Sequence, residues 1–223
     1  MKKFFGIPTL WSFNGGFIDT VGFLGLQGLF TAHVTGNFVT LAATLVFGTH
    51  GVAAKLLALP EFVLIVALAR IGGTMMRRRG LPALRILFVV KVFFLLAFFI
   101  LAVTLGPFPD SDAPAALLTG FAAISGMAIQ NAVHRVHFPA IPPTTLMTGN
   151  TTQAVLDAVD LIWGTDPDNV AATRARFGRI MRGILSFAIG CAAGAVLYYW
   201  IGFWCLAVPV TVGASTALLR HEP

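Results

Sequence analysis

The sequence predicts an all-α, polytopic bundle of transmembrane helices, with about six net crossings, two inverted repeats and helices broken at a recurring Thr-Gly-Asn motif. Three observations carry this expectation. Hydrophobic residues fill 57% of the 223 positions, charged residues only 11%, and mean hydropathy is +0.85, a balance no ordinary water-soluble domain of this length shows. Thr35-Gly36-Asn37 recurs as Thr148-Gly149-Asn150, each copy leading into an apolar run, so the chain reads as two versions of one membrane unit. The cations gather beside the apolar runs, which makes the net charge of +6 a topology signal and not the footprint of a nucleic acid.

Lys2 and Lys3 open the chain, and Asn14, Gly15, Gly16 and Asp19 interrupt any signal-peptide core, so the start reads as retained. Residues 17–47 exceed one span and are read as one net crossing, broken at the first Thr-Gly-Asn. Residues 62–76 and 86–105 are unbroken apolar runs, the first short of the ~20 residues a span needs and completed by its flanks. Arg77, Arg78, Arg79 and Arg85 mark the turn between them, and residues 107–114, with Asp110 and Asp112, form an acidic link. Residues 117–163 repeat the long interrupted pattern around the second motif. An Arg-rich link follows (Arg174, Arg176, Arg179, Arg182), then a short run at 184–198, an aromatic turn at 198–202 and a last run at 201–219 before Arg220. These runs lack period-two alternation and are dominated by Leu, Ala and Phe, which favours helices over barrel strands. Abundant Ala and Gly suit close helix contacts, and Cys191 and Cys205, inside apolar runs, read as small packing residues.

Placing the basic clusters in the cytoplasm leaves links 48–55, 107–114 and 198–202 outside. The chain is then a single transmembrane domain, 1–223, with repeats at roughly 10–106 and 115–219. Aligned on their motifs, the repeats exchange charge: Arg77-Arg78-Arg79-Gly80 falls opposite Tyr199-Trp200-Ile201-Gly202. Such a reversal is expected when an odd number of crossings per repeat turns one copy upside down. The competing reading splits 17–47 and 117–163 into two spans each, giving parallel repeats and leaving one Arg cluster outside.

Thr and Asn are good N-cap residues, so the motifs predict helix starts at 38–47 and 151–163, each a site of partial positive charge and free N–H groups. Two such starts facing each other near the midplane would form a substrate site favouring an anion. The candidate binding residues are Asp19, His33, Thr35, Gly36 and Asn37 from the first repeat, with Gln130, Asn131, Thr148, Gly149 and Asn150 from the second. The plainer reading is that these residues cap helices and pack. Asp19 faces two readings as well, a proton-responsive group opposite amides or a buried ion pair with Arg70 or Lys91. His33, His134 and His137 flank the motif elements as imidazoles able to switch charge near neutral pH, and His134 and His137 around Arg135 read equally well as an interfacial rim; Asp157 and Asp160 read as facing headgroup water, and Glu61 as interfacial. No metal-ligand constellation, cofactor motif or enzyme signature is present, so catalysis is not expected.

Gly16-Phe17-Ile18-Asp19, His33-Val34-Thr35-Gly36-Asn37, Gly126-Met127-Ala128-Ile129-Gln130-Asn131 and Met147-Thr148-Gly149-Asn150 together resemble the YoaK-like family of bacterial inner-membrane proteins, catalogued as a domain of unknown function. The resemblance spans nearly the whole chain. It implies a multi-pass protein of the inner (plasma) membrane, of a kind described as a transporter without an assigned substrate, and supplies no site residues. The expected function is a small-solute transporter or channel; the alternative is a non-transporting scaffold or sensor subunit. Membrane lipid and an unidentified solute are the expected partners, nucleic acid is not, and self-association is left open.

Overall fold

The computed structural model describes residues 6–164 and 169–218, so Lys2, Lys3 and Arg220 lie outside the described residues. It is all-helical: α1 (Ile7–Gly25), a 3-10 turn (Val34–Gly36), α2 (Asn37–Phe47), α3 (Val52–Arg78), α4 (Ala83–Leu105), α5 (Pro114–His137), α6 (Met147–Trp163), α7 (Val170–Ile201), a second 3-10 turn (Gly202–Leu206) and α8 (Ala207–Leu218). The same series runs twice: a long helix, a loop that turns back, a short helix, then two more helices. Both series begin with proline in the first helical turn, Pro8 and Pro114, where the missing N–H is harmless.

Among the described residues, four helical stretches are long and apolar enough to cross a membrane: α3, α4, α5, and the run Val170–Ala217 through α7 and α8. The chain is a membrane protein. The two short apolar runs are completed by their flanks, residues 62–76 inside the 27-residue α3 and residues 184–198 inside the 32-residue α7.

α5 is the most enclosed of these stretches, with 78% of its apolar window buried against 17% for α3. α1 packs chiefly on α7, while α5 packs on α4 and α3, so the first helix of each half lies against the third helix of the other. Small residues make the α1–α7 approach possible. A Cβ on Gly190 would meet the Phe13 carbonyl, and one on Gly16 would meet the Phe187 carbonyl and the Cys191 sulfur. In lipid, where apolar burial supplies little drive between helices, such backbone proximity is a main source of association.

The links meet in two groups. In the first, the Asp112 carboxylate accepts from the N–H groups of Gly51 (3.1 Å), Val52 (3.0 Å) and Ala54 (2.9 Å), capping α3 from a distant link. Phe108 stacks edge-on against Phe203, which also meets Tyr198, and Gln27 donates to the Phe108 carbonyl (3.2 Å). Links 48–55, 107–114 and 198–206 therefore share one end of the bundle. In the second group, His137 shares a cleft with Arg70 and Arg77, and a pocket gathers Gly6, residues 141–143, Arg179 and Arg182. His134 joins the two by its ring contact with the Ile141 carbonyl (3.1 Å).

Several polar residues lie elsewhere than expected. Asp157 does not face headgroup water; it is fully buried and takes a forked contact from Arg176 (3.1, 3.0 and 2.6 Å) and a bond from Gln153 (2.7 Å). The reason is reach: α6 packs on α7, which brings the Arg-rich segment alongside. His134 is buried rather than part of a rim. Glu61 faces a helix neighbour, accepting from the Ser125 hydroxyl at 2.8 Å.

Candidate functional site

The site grows from a loop folded back on α1. After Gly25 the chain reverses through Gln27 and Gly28, both at positive φ (54° and 80°), and runs down beside the helix it has just left. Gly22 allows this return, because a Cβ there would lie 2.8 Å from the Thr31 methyl. Asp19 fixes the returning strand. Its Oδ1 accepts from the N–H groups of Thr31 (2.7 Å), Ala32 (2.7 Å) and His33 (3.3 Å), whereas Oδ2 has, among the described residues, only the shared 3.3 Å contact with His33. Three successive N–H groups converging on one oxygen form a small anion nest, filled here by the chain's own carboxylate.

Asn37 then closes the loop in both directions. Its Oδ1 accepts from the Phe30 N–H and its Nδ2 donates to the Phe30 carbonyl, each at 2.8 Å. The second half repeats half of this clasp: Asn150 Nδ2 donates to the Pro143 carbonyl at 2.7 Å, seven residues upstream as before, and Pro143 has no N–H to return. The expectation that Thr and Asn cap helix starts is overturned. Neither α2 nor α6 has a side-chain cap, and α6 begins at Met147 with Thr148-Gly149-Asn150 already inside its first turn. The asparagines prefer the upstream loop because it offers carbonyls that nothing else satisfies in an apolar interior.

The ion pair expected for Asp19 is also absent among the described residues. Backbone N–H groups satisfy the carboxylate, Arg70 lies in a different cavity, and Lys91 is 1% exposed with no hydrogen bond or ion pair, its Nζ 5.5 Å from the Trp11 ring.

Between the two returning loops lies a cavity of about 420 Å³. α1 contributes Asp19, Thr20 and Phe23; the first loop Phe30 and His33; the second loop and the start of α6 Thr145 to Thr148; α7 Phe187 and Cys191. Of the residues singled out in the sequence, Asp19, His33 and Thr148 line it. Thr35, Gly36, Asn37, Gln130, Asn131, Gly149 and Asn150 do not, so only the α6 start borders the cavity. Gln130 donates to the Trp11 carbonyl (3.2 Å) and Thr144 (3.3 Å), and Asn131 accepts from the Thr145 hydroxyl (2.8 Å), tying the second loop to α5 as Asp19 ties the first to α1. Asn131 instead borders a second cavity, about 350 Å³, against α3. Phe187 and Cys191 are walls the sequence did not announce, although Cys191 opens the run that aligns with Ala69-Arg70 of the first half.

Among its lining residues the larger cavity carries one carboxylate, one imidazole, hydroxyls, and no lysine or arginine. It can hold a small, largely apolar molecule and offer Asp19 Oδ2 to a donor.

A helical membrane protein with a half-open cavity walled by both halves is the class these features define. The chain belongs to the family described as "Protein of unknown function (DUF1275)", whose model matches residues 7–219, in agreement with the YoaK-like resemblance of its motifs. No curated protein and no solved structure matches it.

Proposed function

We propose that this protein is a non-catalytic transporter or channel for a small solute in the bacterial inner membrane, with six net crossings arranged as two inverted repeats. Two groups of contacts support that topology: the Arg-bearing end of α3 and start of α7 gather near one end, the link that bears Asp110 and Asp112 lies at the other, beside the start of α3, and the basic end is read as cytoplasmic. α1 with its returning loop and α2 make one net crossing, as do α5 with its loop and α6.

The observation that carries the reading is the cavity of about 420 Å³ whose walls come from both interrupted segments and from α7. Irregular backbone at membrane depth is tolerated where it lines a cavity, and broken elements of this kind form transporter sites. The lining alters the expected substrate. One carboxylate without a neighbouring lysine or arginine favours a solute with a cationic or neutral donor group over an anion.

The test is uptake of a panel of radiolabelled small amines and zwitterionic amino acids into proteoliposomes. At least one solute enters faster than in protein-free vesicles, and a methanethiosulfonate reagent on Cys191 blocks that flux while leaving a Cys191→Ser variant unaffected. Cys205, fully buried, does not react. No flux above protein-free vesicles, or flux indifferent to the blocked cavity wall, removes the proposal in favour of a scaffold.

A further inference from the structure

The cavity of about 350 Å³ between α3, α5 and the link before α6 has a character opposite to the first. Arg70 of α3 and Arg135 of α5 both line it, with His134 beside them and no acidic residue in its walls. The remaining walls include Phe62, Val66 and Leu146. Neither guanidinium makes a side-chain hydrogen bond or ion pair among the described residues, where the ion pairs are His50–Asp110 and Arg176–Asp157. The nearest carboxylate in sequence, Glu61, is bonded to Ser125.

The positive character continues along α3. An adjoining cleft is lined by Arg70, Arg77 and His137, again without an acid, and His137 Nε2 is buried with no hydrogen-bond partner among the described residues. Arg70 itself emerges between Leu68 and Ile71, which are 54% and 56% exposed and so face lipid acyl chains. It stands eight residues before the end of α3 at Arg78, about 12 Å along the axis, within reach of a headgroup for a side chain that extends toward the interface. An unpaired cation among lipid-facing side chains must find an anion or deform the bilayer. Basic pockets between helices on the cytoplasmic side are suited to anionic headgroups.

We infer that this cavity binds an anionic phospholipid, its phosphate held between Arg70 and Arg135 and its acyl chains laid along the apolar wall and the outer face of α3. Guanidinium pairs match phosphate geometry, and the apolar lining gives a free phosphate ion nothing further to bind. The inference is independent of whether the larger cavity carries a solute.

Purified full-length protein in a zwitterionic detergent is incubated with phosphatidylglycerol, phosphatidylcholine or inorganic phosphate, and lipid retention is read by native mass spectrometry alongside the thermal midpoint. Phosphatidylglycerol is retained and raises the midpoint, since a ligand that selects the folded state stabilises it. Phosphatidylcholine and inorganic phosphate do neither. Arg70→Gln combined with Arg135→Gln lowers phosphatidylglycerol retention by about tenfold or more, while Arg78→Gln leaves it within about twofold. The midpoint without lipid checks that the double variant folds; should it not, the single variants Arg70→Gln and Arg135→Gln each carry the same test. Equal retention of phosphatidylcholine, unchanged retention in the Arg variants, or an equal shift with inorganic phosphate overturns the inference.

Discussion

Gly190→Leu gives no folded, monodisperse protein. At this position the added side chain meets the Phe13 carbonyl and its neighbouring backbone atoms, which belong to α1 and cannot swing aside as a side-chain end would. Overpacking usually costs about 1–3 kcal/mol, and a clash with rigid backbone on both helices exceeds that range. The loss spreads because α7 is the principal neighbour of α1, and α1 carries the loop, Asp19 and one wall of the cavity. Size-exclusion profile and thermal midpoint in detergent are the measurements. Gly149→Ala is the contrasting control: an added methyl there meets nothing within 4 Å. Replacing that helical glycine stabilises by roughly 0.5–1 kcal/mol, although it lies in the Thr-Gly-Asn motif. A Gly190→Leu protein as stable as the wild type would mean that α1 and α7 do not cross closely.

The second large effect belongs to Asp19. Asp19→Ala removes the acceptor shared by the N–H groups of Thr31, Ala32 and His33, leaving the returning loop with three donors that have lost their protein acceptor, two of them on the buried residues Thr31 and Ala32. At about 1–3 kcal/mol for each unsatisfied buried group, the expected loss is on the order of 3–5 kcal/mol, enough to lower the thermal midpoint by many degrees. Asp19→Asn keeps one acceptor oxygen and is milder, on the order of 1–2 kcal/mol, because its NH2 is set against the donor of His33. If Asp19→Ala melts with the wild type while solute flux is lost, the carboxylate is a pathway group and not the anchor of the loop.

How much of this was legible in the sequence differs from element to element. Residues 86–105 became α4 almost unchanged, because an apolar run of that length, with Lys91 as its one charge, has one stable conformation in lipid. Residues 62–76 gave only the middle of α3, since Lys55, Pro60 and Glu61 before the run and Arg77 and Arg78 after it lie within the helix and hide its extent from a hydropathy reading. The repeated Thr-Gly-Asn did mark the two interrupted segments. What the asparagines do there was not legible, because their partners are the backbone carbonyls of Phe30 and Pro143, and a carbonyl leaves no trace in residue type. The same reason hid the partners of Asp19. A charge in an apolar run suggested a countercharge, yet the actual donors are main-chain groups on a loop whose path depends on Gly22 and Gly28. Phe187 and Cys191 became cavity walls only through the α1–α7 contact, which joins segments more than a hundred residues apart. Arg70 and Arg135 were visible as charges, but their sharing of one cavity depends on the packing of α5 against α3.

The proposed topology makes the two ends of the bundle different faces of the membrane, so that the two interrupted segments enter it from opposite sides. Single cysteines at Thr49, Arg78, Pro109 and Arg174, all exposed positions, test this in a background lacking Cys191 and Cys205. In intact cells and inside-out vesicles, a membrane-impermeant maleimide labels positions 78 and 174 from one face and positions 49 and 109 from the other. Labelling of 78 and 174 from opposite faces would contradict the inverted arrangement and the shared cavity drawn from it.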